Sequence, residues 1–417
     1  MEQNQLFATG LGLSAPWTVT RSGLQDNGLE GKYLYVDIDL EPGALMPCPV
    51  CSQPCPSHDS EVKRWRHLNF WQHPTHLSAR VPRVRCPEHG VRQVHVPWAR
   101  PGSGFTLLFE AFVMALVGES SVSAAAQLVG EHDTRLWRIV RHYVEGAHAR
   151  QDWSEVSAVA IDDTATRKGH RYATVVVDLD PERERPARLL FMTPERTAAS
   201  VAEFTGAMGA HGATPEQVRL VAIDMSAAYQ KGVAEHLPLA QVVFDRFHVM
   251  QLAGRALDEV RRELQREGAD VKGALWALRG NASRLSQAQA EVRRALCKQY
   301  KELGRAMALR ENLQEAWEWH GAAGAELHLK AWCSWAARSR LEPFKKLART
   351  IKSHLEGILA YYPHRITSAA IESINGIIQT ARRRARGFRN FANFKAICYW
   401  MAGNLDLNIL SSPTHSK

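Results

Sequence analysis

The stretch IDDTATRKGHRYATVVVDLD, residues 161–180, constrains the fold more than any other part of the chain. It reads as two β-strands joined by a short basic turn. Residues 157–161 are apolar and lead into two adjacent carboxylates, Asp162 and Asp163. Residues 172–179 are rich in β-branched and aromatic side chains, with Asp178 and Asp180 at the far end. A carboxylate ending a buried strand stands at the rim of a sheet, where a cation or substrate can reach it. The competing reading is a polar hairpin tip, because Asp is a frequent turn residue.

The residues that follow decide between the two. The pattern predicts strands at 156–161, 172–179, 187–192, 218–223 and 241–245, with helices at 197–210 and 226–236. Three strands in succession, then alternating helix and strand, suggest a mixed sheet carrying helices. The order matches a ribonuclease-H-like fold, in which the first and fourth strands are neighbours. The fourth strand, VRLVAID, ends on Asp224, so Asp162 and Asp224 would lie side by side. The fifth ends on Asp245, with His248 one turn later.

Residues 246–345 have a helical pattern and read as an inserted all-helical domain. Its tryptophans, Trp276, Trp317, Trp319, Trp332 and Trp335, are expected mostly in its core. A strong amphipathic helix follows over 366–386, capped by Thr367 or Ser368, with Ala370, Ile374, Ile377, Ile378 and Ala381 as its apolar stripe. Glu372 is off that stripe, on a face shared with Asn375, Gln379 and Arg383. It is the only acidic residue between Glu356 and Asp406. A first-turn Glu is favoured by the helix dipole alone; the functional reading turns it toward the strand-end aspartates. Arg382, Arg383, Arg384, Arg386 and Arg389 come next, and beside an acidic metal site such a run is expected to hold DNA phosphates.

Upstream, Cys48 and Cys51 form one C-x2-C knuckle, and Cys86 and His89 form a second pair at the same spacing. Separated by a segment (62–84) that alternates in β fashion, they predict a zinc ribbon. The rival set, Cys48, Cys51, Cys55 and His58, is cramped and leaves Cys86 and His89 unexplained. Lys63, Arg64, Arg66, Arg80, Arg83, Arg85 and Arg92, interleaved with Trp65, Phe70 and Trp71, suggest a phosphate-contacting surface. Residues 105–117, 121–130 and 132–144 read as three helices with a Gly130 turn. This is a helix-turn-helix pattern, in which Leu136, Ile139, Val140 and Tyr143 face inward and Arg135, Arg138 and Arg141 outward. The formal net charge of +9 suits a nucleic-acid partner. No apolar run reaches membrane-spanning length and no secretion signal is apparent. The seven cysteines, an odd number, then point to a reducing cytoplasm without a disulfide framework.

Three carboxylates from two strands and a helix, Asp162, Asp224 and Glu372, would form an oxygen-ligand site for magnesium or manganese. Two such metals can drive an in-line phosphoryl displacement. The chain resembles the ISL-three family of insertion-sequence transposases nearly end to end. The resemblance rests on CPVC with RVPRVRCPEHGV and VPWAR, on IDDTATRKGHRYATVVVDLD, AIDMSAAYQKGV and VVFDRFHV, and on IESINGIIQTARRRARGFRNFANF. It implies a DDE transposase with its triad at Asp162, Asp224 and Glu372. The family usually has Asp-Glu at the first position; this sequence has Asp-Asp, which leaves Asp163 as the alternative. Asp245 and His248 resemble a D-x-x-H element that supports the site. The resemblance further implies binding to transposon ends and target DNA, assembly as a homodimer or larger, a structural zinc, and a place in the bacterial cytoplasm at the nucleoid.

The expected architecture is therefore multidomain α+β. It comprises a zinc ribbon (1–98), a helix-turn-helix (104–150), a ribonuclease-H-like α/β core (155–248 and 363–417) and an all-helical insertion (249–362). Arg167, Lys168 and His170 in the hairpin turn are expected to contact DNA near the cut.

Overall fold

A computed structural model describes residues 3–28, 31–167, 171–180, 185–272, 275–280, 285–366 and 369–408. Lys168, His170, Thr367 and Ser368 lie outside the described residues. The chain forms two compact units, one from residues up to Ala147 together with those from Asp406 onward, the other His148–Leu405.

The first unit opens with helix α1 (Gln3–Gly10) and strand β1 (Trp17–Asp26), neither of which the sequence pattern announces. Strands β2 (Lys32–Leu40), β3 (Met46–Pro47), β4 (Pro54–Cys55), β5 (Ser57–Phe70), β6 (His73–Cys86) and β7 (Gly90–Gln93) follow. The main sheet runs β1-β2-β6-β5, with β7 added to β6. Alternation decides what is inside: Leu34, Val36 and Ile38 of β2 meet Leu77, Ala79 and Val81 of β6 in the core. Trp98 stands edge-on to Trp17 and Trp65, at centroid distances of 4.9 and 5.5 Å.

Helices α2 (Leu107–Glu119), α3 (Val122–Val129) and α4 (Asp133–Ala149) follow, the last two residues of α4 being counted with the second unit. The hydroxyl of Thr106 caps α2, and that of Ser121 caps α3. Gly130 ends α3 with φ of 69°, a left-handed conformation that costs glycine nothing. Arg66 joins the sheet to the helices. Its amide donates to the Gly104 carbonyl (2.9 Å) and its carbonyl accepts from Thr106 (3.0 Å). Its buried guanidinium lies 3.6 Å from Glu131 and over the ring of Phe109. Arg66 is therefore a structural residue and not part of a phosphate-contacting surface. Arg80 and Arg83 stay exposed, ion-paired to Asp39 and Asp59.

The second unit is built on strands β8 (Ala158–Arg167), β9 (Arg171–Asp178), β10 (Arg188–Pro194), β11 (Leu220–Ile223) and β12 (Gln241–Phe244). They form one sheet in the order β10-β9-β8-β11-β12. The first three pair antiparallel, and β11 pairs parallel with both β8 and β12. Every residue of β11 is buried, as expected for a parallel strand covered on both faces. Helix α5 (Ala198–Met208) and helix α6 (Ala227–His236) cross closely at Gly232, where a Cβ would come within 2.9 Å of Val201 and of the Ala198 carbonyl.

Helices α7 (Arg246–Arg266), α8 (Leu275–Arg279), α9 (Gln287–Gln299), α10 (Lys301–Glu315), α11 (Ala322–Ala337), α12 (Glu342–Ser353), α13 (Leu355–Leu359) and α14 (Tyr361–His364) follow in turn. Trp317 and Trp332 are in their core, but Trp276, Trp319 and Trp335 are exposed, Trp276 by 73%. The expectation of a mostly buried set fails because an aromatic at helical spacing does not reveal which face another helix covers. Helices α15 (Ala369–Arg384) and α16 (Phe391–Ala402) close the unit. The stripe that α15 buries is Ile371, Ile374, Ile378 and Ala381; Ala370 and Ile377 are only partly covered.

Candidate catalytic site

Sheet register places the carboxylates. The last paired row across the three parallel strands is Ile161, Ile223 and Phe244. The next residue in each strand is an aspartate: Asp162, Asp224 and Asp245. Strands β11 and β12 stop at this row. Strand β8 does not, because β9 continues to pair with it, Asp162 opposite Val175 and Asp163 opposite Thr174. Asp162 is thus inside a long strand rather than at its end, at the level where its parallel neighbour stops.

Helix α15 occupies the edge that β11 leaves. Asn375 Nδ2 donates to Asp162 Oδ2 at 3.1 Å. Gln379 Nε2 donates to Thr164 Oγ1 (2.8 Å) and to the Ala165 carbonyl (3.1 Å), and Arg382 Nη1 donates to the same carbonyl (2.7 Å). Glu372 is exposed, one helical turn before Asn375 on the same face. Its helix is thereby anchored to the strand that carries Asp162.

Arg196 was not singled out by any sequence pattern. Glu195 adopts a left-handed φ of 71° at the end of β10, and the chain there turns Arg196 toward the carboxylates. Its guanidinium pairs with Asp163 Oδ2 at 2.9 Å and with Asp224 Oδ2, and lies over the Tyr229 ring at 5.7 Å. Asp163 is therefore paired with Arg196, whereas Asp162 takes its hydrogen bond from Asn375. Burial, reinforced by Asp163 and Asp224, pushes the Asp162 carboxyl up to about 6 against the pull of His248. Burial raises Asp163 as well, against Arg196. Asp245 Oδ2 and His248 Nδ1 are buried and have no hydrogen-bond partner among the described residues. At the far end of β9, Asp178 pairs with Arg188 at 3.0 Å, a structural role.

The raised Asp162 carboxyl has a thermodynamic consequence. An acid whose folded pKa exceeds its unfolded value of about 3.9 adds stability below that value and loses it as pH rises through about 6. Without divalent metal, Asp162→Asn should therefore be more stable than wild type at pH 8, by on the order of 1–2 kcal/mol. The gain should vanish near pH 4. Thermal melts at the two pH values check this, and an equal or lower melting temperature at pH 8 contradicts it.

Among the described residues, one group of three or more metal-ligand side chains brings its donor atoms within 4.8 Å of one another: Cys48, Cys51, Cys86 and His89. Asp162, Asp224 and Glu372 are not drawn together so closely. The distances are 3.7 Å for Cys51 Sγ to Cys86 Sγ, 3.5 Å for Cys86 Sγ to His89 Nδ1 and 3.9 Å for Cys48 Sγ to His89 Nδ1. A tetrahedron with zinc–sulfur bonds near 2.3 Å has edges of roughly 3.5–3.8 Å. Burial opposes ionisation of Cys86, but hydrogen bonds from His89 outweigh it and hold the thiol down to about 6. Cys55 stands outside this group, its thiol donating to the Gln53 carbonyl.

The arginines singled out from the sequence divide. Arg138 is exposed. Arg135 is half-buried, ion-paired with Glu131 and stacked 4.3 Å over Phe105, and Arg141 is half-buried too. The expectation that all three point outward fails because α4 packs on more than its apolar stripe. Arg167 donates to the carbonyls of Phe388 (3.1 Å) and Arg389, and Arg382 is bound to Ala165. Arg383, Arg384 and Arg386 are exposed, the last in a left-handed turn beyond the helix.

Known families match the chain along most of its length. A family described as Transposase matches residues 159–398. The helix-turn-helix domain of transposase family ISL3 matches residues 94–144, and the zinc-finger of transposase IS204/IS1001/IS1096/IS1165 matches residues 44–89. The transposase for insertion sequence element IS1557 of Mycobacterium tuberculosis is 29% identical over 397 residues, covering 88% of both chains. The transposase for insertion sequence element IS1001 of Bordetella parapertussis is 29% identical over 368 residues, covering 85% of this chain and 88% of that one.

Proposed function

The chain belongs to the ISL3 family of transposases, and on that premise we propose that it binds the terminal inverted repeats of an insertion sequence and catalyses magnesium-dependent strand cleavage and strand transfer. The observation that carries this reading is the row Asp162, Asp224 and Asp245, one step beyond the last row in which β8, β11 and β12 pair with one another. The order β10-β9-β8-β11-β12 supports the ribonuclease-H-like reading, with helices α7–α14 as the insertion.

The donor set fits a hard divalent cation. Asp162 is an oxygen ligand with a raised pKa and, among the described residues, no ion pair, and Asp245 brings a buried oxygen that takes no hydrogen bond from them. Asp162, Asp224 and Glu372 would hold the metal. When bound, two such ions would supply activation of the attacking hydroxyl and charge stabilisation of the leaving oxygen. Asn375 orients Asp162, and His248 favours its charged form. Arg196 stands on Asp224 where positive charge is needed, so Asp224 must exchange that partner, at least in part, for metal. Water as nucleophile yields a nick, and a DNA 3′-hydroxyl yields joining. Double-stranded DNA at element ends and target is the partner, and pairing two ends calls for at least a dimer. In the first unit, Cys48, Cys51, Cys86 and His89 would hold a structural zinc.

The test is purified protein, magnesium and DNA carrying the element's ends. Cleavage with joining supports the proposal. Binding alone would mark a regulator derived from a transposase, and cutting without joining a nuclease. Arg383, exposed on α15, gives a separate expectation. Arg383→Ala should reduce the slope of log affinity against log salt by about 1, because one fewer counterion is released. An unaltered slope would leave Arg383 a solvated side chain.

A further inference from the structure

Beside the aspartates the second unit has a cleft of about 640 Å³. Its walls are the paired ends of β8 and β9, the turn between β10 and α5, and the segment leading into α16. Arg171, Tyr172, Arg196, Arg389 and Phe391 face it, and Glu195 is the single acidic residue among the described lining residues. The volume falls within the roughly 300–1,000 Å³ of small-ligand sites. The wall formed by residues 388–389 is held in place by Arg167, whose guanidinium donates to both carbonyls. Phe391 is braced edge-on against Phe394 at 6.3 Å. Tyr172 is exposed.

The lining combines flat aromatic faces with guanidinium groups, the two features that bind a nucleobase and its phosphate. Base faces inside a duplex are covered by their neighbours, so only an unpaired base can use such walls. Arg196 fixes the location, because it faces the cleft and also holds Asp163 and Asp224. We infer that this cleft takes one unpaired nucleotide of the DNA strand being processed, its base against Tyr172 and Phe391 and its phosphate against Arg171 and Arg389. The assignment rests on the transposase reading and deepens it: a strand end seated here would lie next to the carboxylates.

The test is binding of the full chain, without added divalent cation, to a labelled oligothymidylate, to the same strand with abasic residues, and to a duplex of equal length. Wild type should prefer the base-bearing strand by about tenfold or more. Tyr172→Ala and Phe391→Leu should remove most of that preference and leave duplex binding unchanged. Tyr172 is exposed and Leu keeps an apolar contact with Phe394, so both variants should fold, and their thermal melts verify it. A preference unchanged in both variants overturns the assignment. So does an equal loss for all three probes, which would mean contact with phosphate alone. No chemistry enters this measurement. A protein that joins no DNA yet shows the predicted losses refutes strand transfer and keeps the cleft; one that joins DNA with its preference untouched refutes the cleft alone.

Discussion

Asp224→Ala should abolish both cleavage and joining, by at least ~10³-fold, while DNA binding persists. Asp224 ends the strand beside β8, at the level of Asp162, and its neighbours there are Arg196 and the backbone amide of Ser226. Its removal would delete an oxygen ligand of the proposed metal site without opening the core, because the side chain is partly exposed. The same assay separates the two candidates for the first carboxylate. Asp162→Asn should behave like Asp224→Ala. Asp163→Asn, which loses an ion pair to Arg196 but no hydrogen bond to α15, should retain measurable joining. Joining by the Asp224→Ala protein, or loss confined to Asp163→Asn, would contradict the assignment.

Cys86→Ser should strip about one equivalent of zinc per chain and unfold much of the ribbon. Cys86 ends β6, and its sulfur approaches both Cys51 and His89. Since a structural metal's binding free energy is folding free energy, a chelator should reproduce the effect in wild type. Cys55→Ser is the control: its thiol is bonded to the Gln53 carbonyl, outside the ligand group, so zinc content should not change. Unchanged metal in Cys86→Ser, or loss in Cys55→Ser, would return the site to the cramped local set. Protease digestion of the metal-free protein would show whether the second unit, with its own core, survives.

What could be read in advance was local. β-Branched and aromatic content marks β9, alternation marks β6, period 3.6 marks α4 and α15, and the spacing of two knuckles selects Cys48, Cys51, Cys86 and His89 over the set with Cys55. The strand endings on Asp224 and Asp245 are likewise visible, because the apolar run stops there. Strand β1 escaped because WTVTRSGLQD mixes polar and apolar residues on a half-exposed edge, without clean alternation.

By itself, then, the sequence determined which residue types recur at which spacing, and hence the ribbon, the helical module, the mixed sheet and the family. Only the tertiary structure decided partners. It placed Asp162 within a strand, because β9 pairs beyond the point where β11 stops. It moored α15 to that strand through Asn375 and Gln379, set Arg196 between Asp163 and Asp224, and committed Arg66, Arg135, Arg167 and Arg382 to the protein itself. An arginine looks the same in sequence whether it meets a carbonyl, a carboxylate or a phosphate. The choice is made by groups far along the chain, whose approach depends on packing and leaves no periodic trace.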